Sequence, residues 1–204
     1  TLSLELMAQE LSSCGALVRA RDPDRFLLSM FAPPARREGL WALFAFHYEV
    51  AKTREVVSET QLGLIRLQWW RDAVEKIYAG GEVLENEVLP ALAQAIQAHD
   101  LPREHLDALI YAREFDLEDV MPGNVEGLLN YADFTHTPLM KLVLQVCGDD
   151  PDAEPVQPVA TSFALIGLSS ANSTLRAGLR FVGSTVSTPV TRSGSGLVSG
   201  FCIS

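Results

Sequence analysis

The chain is 204 residues long, 48% hydrophobic and 21% charged, a composition that fits one folded domain with one packed core and excludes disordered and fibrous classes. Sixteen Lys and Arg against 26 Asp and Glu give a formal charge of −10, which repels a phosphate backbone, so nucleic acid is not an expected partner. Cys14, Cys147 and Cys202 are odd in number and outside any CxxC spacing, and the longest apolar run, Gly39 to Phe46, falls well short of the ~18 residues of a membrane span. Neither a disulfide framework, a zinc site nor a transmembrane helix is expected. The first residues carry Glu5 and Glu10 and do not read as an Arg-rich transit peptide.

Apolar residues recur at three- and four-residue steps along the body, with no alternating run bounded by turn residues, so the chain is expected to be all-α. In chain order, helices are expected near 3–19, 24–31, 34–56, 60–79, 87–98, 103–119, 125–147 and 157–169. Pro34 and Pro102 suit first-turn positions, where a missing N–H has no partner to lose. Gly80-Gly81 suits a stop after Tyr78, and Pro122-Gly123 separates two periodic segments. Pro138 falls inside the 125–147 pattern, where it is expected to kink the helix or split it after His136.

Beyond residue 168 the composition changes. Ser, Thr and Gly supply about half of 169–204, and the last acid in the chain is Glu154. At the frequency of the preceding residues, the stretch after Glu154 would hold roughly eight acids. The sequence therefore divides into a helical domain, 1–168, and a divergent tail, 169–204, of the kind that a shifted reading frame or an alternative splice produces.

The block from Asp24 to Gly80, DRFLLSMFAPPARREGLWALFAFHYEVAKTREVVSETQLGLIRLQWWRDAVEKIYAG, resembles the squalene/phytoene synthase family. Members carry an aromatic helix start, a PPxxRR turn, an ALYAF helix and a WR…LxxxYxG helix in this order. The resemblance continues through AREFDLEDV and LLNYADFTHTPLMKLVL to about Gly167. It implies an all-α, isoprenoid (terpenoid) synthase-like helical bundle, incomplete at the C-terminus. The run AKTREVVSE…GLIRLQWWRDA is further similar to a phytoene-synthase-like branch that includes the mitochondrial complex I assembly factor. Val56-Val57-Ser58-Glu59, Gly63 and Gln68-Trp69-Trp70 carry that similarity.

Head-to-head prenyl transfer in this family needs Mg²⁺ to hold two diphosphates, and Mg²⁺ needs carboxylate oxygens. Active members supply them as DxxxD-type motifs, because residues i and i+4 project from one helix face. After "AF" this chain reads HYEVAKTRE, so Ala51, Lys52 and Glu55 occupy the matching positions, and Tyr48 stands where active relatives place an Arg. Lys52 brings a positive charge where a metal would sit. The second motif matches Ser169, Ser170 and Ala171, with no acid downstream.

The resemblance leaves Glu55, Arg25, Arg54 and Arg71 as candidate residual diphosphate or metal contacts. The plainer reading makes Glu55 a solvated neighbour of Lys52 and Arg54. Phe44, His47, Tyr48, Ala51 and Trp70 are candidate cavity lining, with core packing as the alternative. His47 suits a hydrogen-bonded core histidine. Asp116, Glu118 and Asp119 could group at a helix end, although such runs are usually solvated faces. No catalytic residue and no metal site is assigned.

The resemblance thus implies a pseudoenzyme acting in assembly of, or as an accessory subunit bound to, respiratory complex I. That reading calls for a protein partner, no cofactor, and peripheral association with the matrix face of the mitochondrial inner membrane, or a cytoplasmic place in a bacterium. The alternative is a prenyl-diphosphate transferase or isoprenoid-binding protein, the one reading that calls for Mg²⁺.

Overall fold

A computed structural model describes residues 11–118 and 122–171, with side chains described as far as 167. The expected helical residues 3–10, Asp119, and the tail beyond Ala171 lie outside the described residues, as do the side chains of Ser169, Ser170 and Ala171. The chain divides into two units, Thr1–Leu165 and Ile166–Ser204, and the account below concerns the first.

The described helices are α1 (Ser13–Arg21), α2 (Pro23–Ser29), α3 (Pro34–Ala51), α4 (Thr53–Val56), α5 (Thr60–Tyr78), α6 (Leu89–His99), α7 (Arg103–Leu117), α8 (Val125–Cys147) and α9 (Val156–Ala171). No strand occurs among the described residues, as the three- and four-residue periodicity requires. Local chemistry fixes the ends. The Ser12 hydroxyl accepts from the Gly15 N–H at 3.0 Å, and the Asp22 carboxylate accepts from the Arg25 N–H at 3.1 Å while Pro23 opens α2. Each satisfies an N–H that has no partner inside its helix. Pro34 stands in the first turn of α3, whereas Pro102 is one residue earlier than expected and caps α7 from outside.

Helix ends shift by a few residues from the periodic pattern, and two places differ more in kind. The expected helix 34–56 breaks at Lys52, whose N–H bonds back to the Tyr48 carbonyl at 2.9 Å, and a short second helix, α4, follows. Pro138 does not split α8, which runs through it from Val125 to Cys147. The buried residues Ala132, Thr135, Leu139, Leu142 and Val146 keep one phase on both sides of the proline, so a split would take one half off the core. Gly148, at φ 82°, ends the helix in the left-handed conformation.

The core centres on α3, which packs against α1, α6, α7 and α8. Leu43, Phe46 and Val50 of α3 meet Leu67, Trp70 and Val74 of α5, Leu92 of α6, Leu106, Leu109 and Ile110 of α7, and Leu142 of α8 in one buried cluster. Helix α1 lies close on α3 because Gly15 has no side chain. A Cβ there would stand 2.8 Å from Cε3 of Trp41.

Candidate functional site: an apolar cavity above a buried polar cluster

Helix α2 is fastened to α3 by one group of contacts. Phe26 stacks on Trp41 with ring centroids 5.7 Å apart, the Trp41 indole N–H donates to Ser29 Oγ at 2.8 Å, and that hydroxyl donates to the Phe26 carbonyl at 2.6 Å. The opposite side of α2 is thereby turned toward α8 and α9. Between them lies a cavity of about 460 Å³. Its wall comes from Arg25, Leu28 and Ser29 of α2, Phe31, Ala32 and Pro33 of the next loop, and Leu40 and Phe44 of α3. His136, Leu139, Met140, Val143 and Cys147 of α8, Asp149, and Ala160 and Phe163 of α9 complete it.

Arg25 brings positive charge to this mostly apolar wall. Its guanidinium is paired with Asp22 at 2.6 Å and lies over the rings of Phe44 and Phe163, 5.8 and 5.3 Å from their centroids. Cation–π contact stabilises a charge held against apolar surface.

Beside the cavity is a buried polar cluster. Arg113 donates from Nη2 to Nε2 of His47 at 3.1 Å and from Nη1 to Asp116 at 3.0 Å, and the Tyr131 hydroxyl donates to the other oxygen of Asp116. A guanidinium only donates, so Nε2 of His47 accepts and the ring proton of neutral His47 sits on Nδ1. His136 lies edge-on to His47, with centroids 5.9 Å apart. The Thr135 hydroxyl donates to the Tyr131 carbonyl at 2.8 Å, so at its 2.9 Å contact with Nδ1 of His136 it accepts the ring N–H.

Burial first, then the charges of Arg25 and Arg113, holds both imidazoles below their ordinary pKa, His47 far below and His136 at about 3. Burial and the neighbouring Asp116 carboxylate push the Tyr131 hydroxyl up. At neutral pH the imidazoles are therefore uncharged and the phenol keeps its proton. The cluster offers hydrogen bonds but no group poised near pH 7 to pass a proton on. Apart from Ser29, His136, Asp149 and the Asp22-paired Arg25, the cavity wall is apolar.

Of the residues singled out in the sequence, the structure brings Arg25 and Phe44 to this cavity. His47 is a buried member of the polar cluster and stands outside the cavity wall, against His136. Trp70 is core and not lining, being 1% exposed and edge-on to Phe46 at 5.6 Å. Tyr48 and Ala51 are half-buried at the end of α3, and the Lys52 ammonium lies 5.2 Å from the Tyr48 ring centroid. Glu55 and Arg54 are exposed on α4, carried away from α3 by the break at Lys52. Arg71 is spent on an ion pair with Glu114 between α5 and α7. Asp116 is not part of a solvated acidic face, since Arg113 and Tyr131 hold it.

Sequence reasoning missed His136, Met140 and Val143, which line one face of α8 at three- and four-residue steps, a spacing that was readable although what it faced was not. It also missed Glu49. This half-buried carboxylate pairs with Lys52, three residues on, and with Arg66 of α5 at 3.0 Å. This acid beside the expected metal motif is thus already paired with two cations, while Glu55, the one acid at a motif position, is exposed on α4. Among the described residues no three His, Cys, Asp or Glu side chains converge as a metal-ligand set. At the first motif the described residues do not fit a Mg²⁺–diphosphate, whose metal needs several free carboxylate oxygens, since Ala51 and Lys52 supply none and Glu49 is already paired. The second motif lies outside the described side chains.

Residues 18–168 match the family model described as squalene/phytoene synthase. The chain belongs to the squalene/phytoene synthase family. Within it, the chain is 35% identical over 135 residues to a human protein named NADH dehydrogenase (ubiquinone) complex I, assembly factor 6, an alignment covering 66% of this chain and 40% of the relative. A Dictyostelium discoideum homologue of that factor is 28% identical over 132 residues, covering 64% and 37%. The chain spans about two fifths of the length of the curated relatives it matches. The crystal structure of squalene synthase HpnC from Alicyclobacillus acidocaldarius superposes with a TM-score of 0.69 at 22% identity, over 80% of this chain and 62% of that one. The shared fold is the helical isoprenoid synthase bundle.

Proposed function

We propose that this squalene/phytoene synthase family member is non-catalytic and acts in assembly of, or as an accessory subunit bound to, respiratory complex I. The observation that carries the reading is the first metal-motif stretch, where Ala51 and Lys52 offer no carboxylate and the neighbouring Glu49 is clasped by Lys52 and Arg66, whereas prenyl transfer would need acids open to Mg²⁺. Relatives named as complex I assembly factor 6 support the partner. On this reading the protein needs no cofactor and works through contacts with another polypeptide, at the matrix face of the mitochondrial inner membrane or in the cytoplasm of a bacterium. No helix among the described residues is long and apolar enough to cross a membrane, and the reading takes association with the inner membrane as peripheral.

Calorimetric titration with a non-hydrolysable geranylgeranyl diphosphate analogue, with and without Mg²⁺, tests the first half. No Mg²⁺-dependent heat is expected, and micromolar Mg²⁺-dependent binding would overturn it. Affinity capture from native membranes tests the second half, with recovery of complex I components expected and their absence counting against the partner.

A second reading, a prenyl-diphosphate transferase or isoprenoid-binding protein, is favoured by the apolar cavity with Arg25 on its wall. It would draw its metal contact from Glu55. Mg²⁺-dependent binding that survives Glu55→Gln removes that ligand from the reading.

A further inference from the structure

The segment that carries α2 differs in chemistry from the rest of the chain. Residues 19–38 hold Arg19, Arg21, Arg25, Arg36 and Arg37 against Asp22, Asp24 and Glu38, a cationic excess in a chain whose formal charge is −10. On this segment α2 and the loop after it expose Leu27 (62%), Leu28, Met30 and Phe31 (89%).

The tip is built rather than loose. The N–H groups of Met30, Phe31 and Ala32 bond back to the carbonyls of Leu27, Leu28 and Ser29, each at 3.1 Å. Arg37 donates from Nη2 to the Met30 carbonyl at 2.9 Å and from Nε to the Ala32 carbonyl at 3.1 Å, which holds a guanidinium directly beside the apolar tip. Arg19 and Arg21 are exposed in the last turn of α1, immediately before α2.

We propose that α2 and the loop through Pro33 dock the chain on an anionic lipid surface, with Leu27, Leu28, Met30 and Phe31 as the side chains that enter it. Apolar side chains flanked by arginines suit the boundary between acyl chains and phosphate headgroups, where each component finds its preferred surroundings. Charge chooses the orientation. The acidic remainder of the molecule is repelled by anionic lipid, but at physiological salt that repulsion is screened beyond about 8 Å, so at contact the exposed Arg19 and Arg21 and the Arg37 beside the tip set the local charge. The physiological meaning of the proposal rests on the inner-membrane location proposed above.

Flotation of the full chain with vesicles of phosphatidylcholine and phosphatidylglycerol tests it. Co-flotation is expected, weaker with phosphatidylcholine alone and weaker in high salt. Phe31→Asp is expected to lower the bound fraction roughly ten-fold or more, the worth of one large apolar side chain. Because Phe31 is exposed, the circular dichroism of that variant should match the wild type. Arg19→Gln and Arg21→Gln are each expected to weaken binding about five-fold on anionic vesicles and not on neutral ones. In Phe31→Trp the added indole should be quenched by brominated lipid. Wild-type protein that stays with the buffer, or Phe31→Asp that floats like the wild type, overturns the proposal. So does a wild type that ignores vesicles while Phe31→Asp loses capture of complex I components, which would assign the tip to a protein. Vesicle binding without complex I capture would instead sink the assembly reading and leave this one standing.

Discussion

His47 and His136 tie the fold to pH. Both are neutral in the folded chain because burial and the charges of Arg25 and Arg113 oppose protonation, whereas in the unfolded chain each takes a proton near pH 6.5. Above that pH neither state is charged and the imidazoles add no pH dependence. As pH falls below it, the unfolded state binds protons that the folded state refuses, until His136 itself titrates at about 3. Stability is therefore lost on acidification, at up to about 1.4 kcal/mol per pH unit for each imidazole. Urea midpoints measured from pH 7 to pH 4 should fall steeply, and His136→Gln, whose amide can still donate to Thr135, should flatten part of that fall. That His47 is a core histidine was legible from its place on the apolar face of α3. Its partner was not, because Arg113 is 66 residues away and a single sequence carries no register between distant helices. Glu49 was closer to hand: the spacing to Lys52 is one helical turn, although Arg66 again comes from another element.

Helices were legible wherever an apolar stripe and a boundary signal agreed, as at the Pro34 start of α3 and the Gly80 stop after α5. Their ends were less so when one hydrogen bond decided them. Apolar spacing continues past Lys52 unchanged, and only the turn at that residue separates α4 from α3. Two substitutions probe what holds the elements. Gly15→Ala gains helix propensity of about 1 kcal/mol but drives a methyl into the ring of Trp41, which its bond to Ser29 and its stack on Phe26 prevent from yielding. A net loss of about 1–2 kcal/mol is expected, with a change in Trp41 fluorescence, in chemical denaturation followed by emission. Pro138→Ala should act oppositely. It restores the N–H that α8 lacks opposite the Phe134 carbonyl, and thermal or urea unfolding should show a gain of about 1–3 kcal/mol.

Across the whole molecule, family and fold were readable in sequence because the PPARR turn, the ALFAF helix and the WWRDA helix are local. The cavity was not, since its wall joins Arg25 to Phe163 through four helices whose mutual facing is a tertiary property. The acidic balance sets another whole-molecule property. Near the isoelectric point of about 4.8 self-repulsion vanishes while the α2 tip stays apolar, so light scattering should rise sharply as pH approaches that value. Phe31→Asp should delay the rise. Finally, the edge-on pair of Trp69 and Trp70, with centroids 4.9 Å apart, has an optical consequence. Indoles this close exchange excitation, yet only Trp69, 37% exposed, can be struck by a quencher in water, while Trp70, at 1%, cannot. Helix α5 thus carries its own lamp and shade, and in a Trp41→Phe background acrylamide quenching together with near-ultraviolet dichroism should report the opening of that helix without any added label.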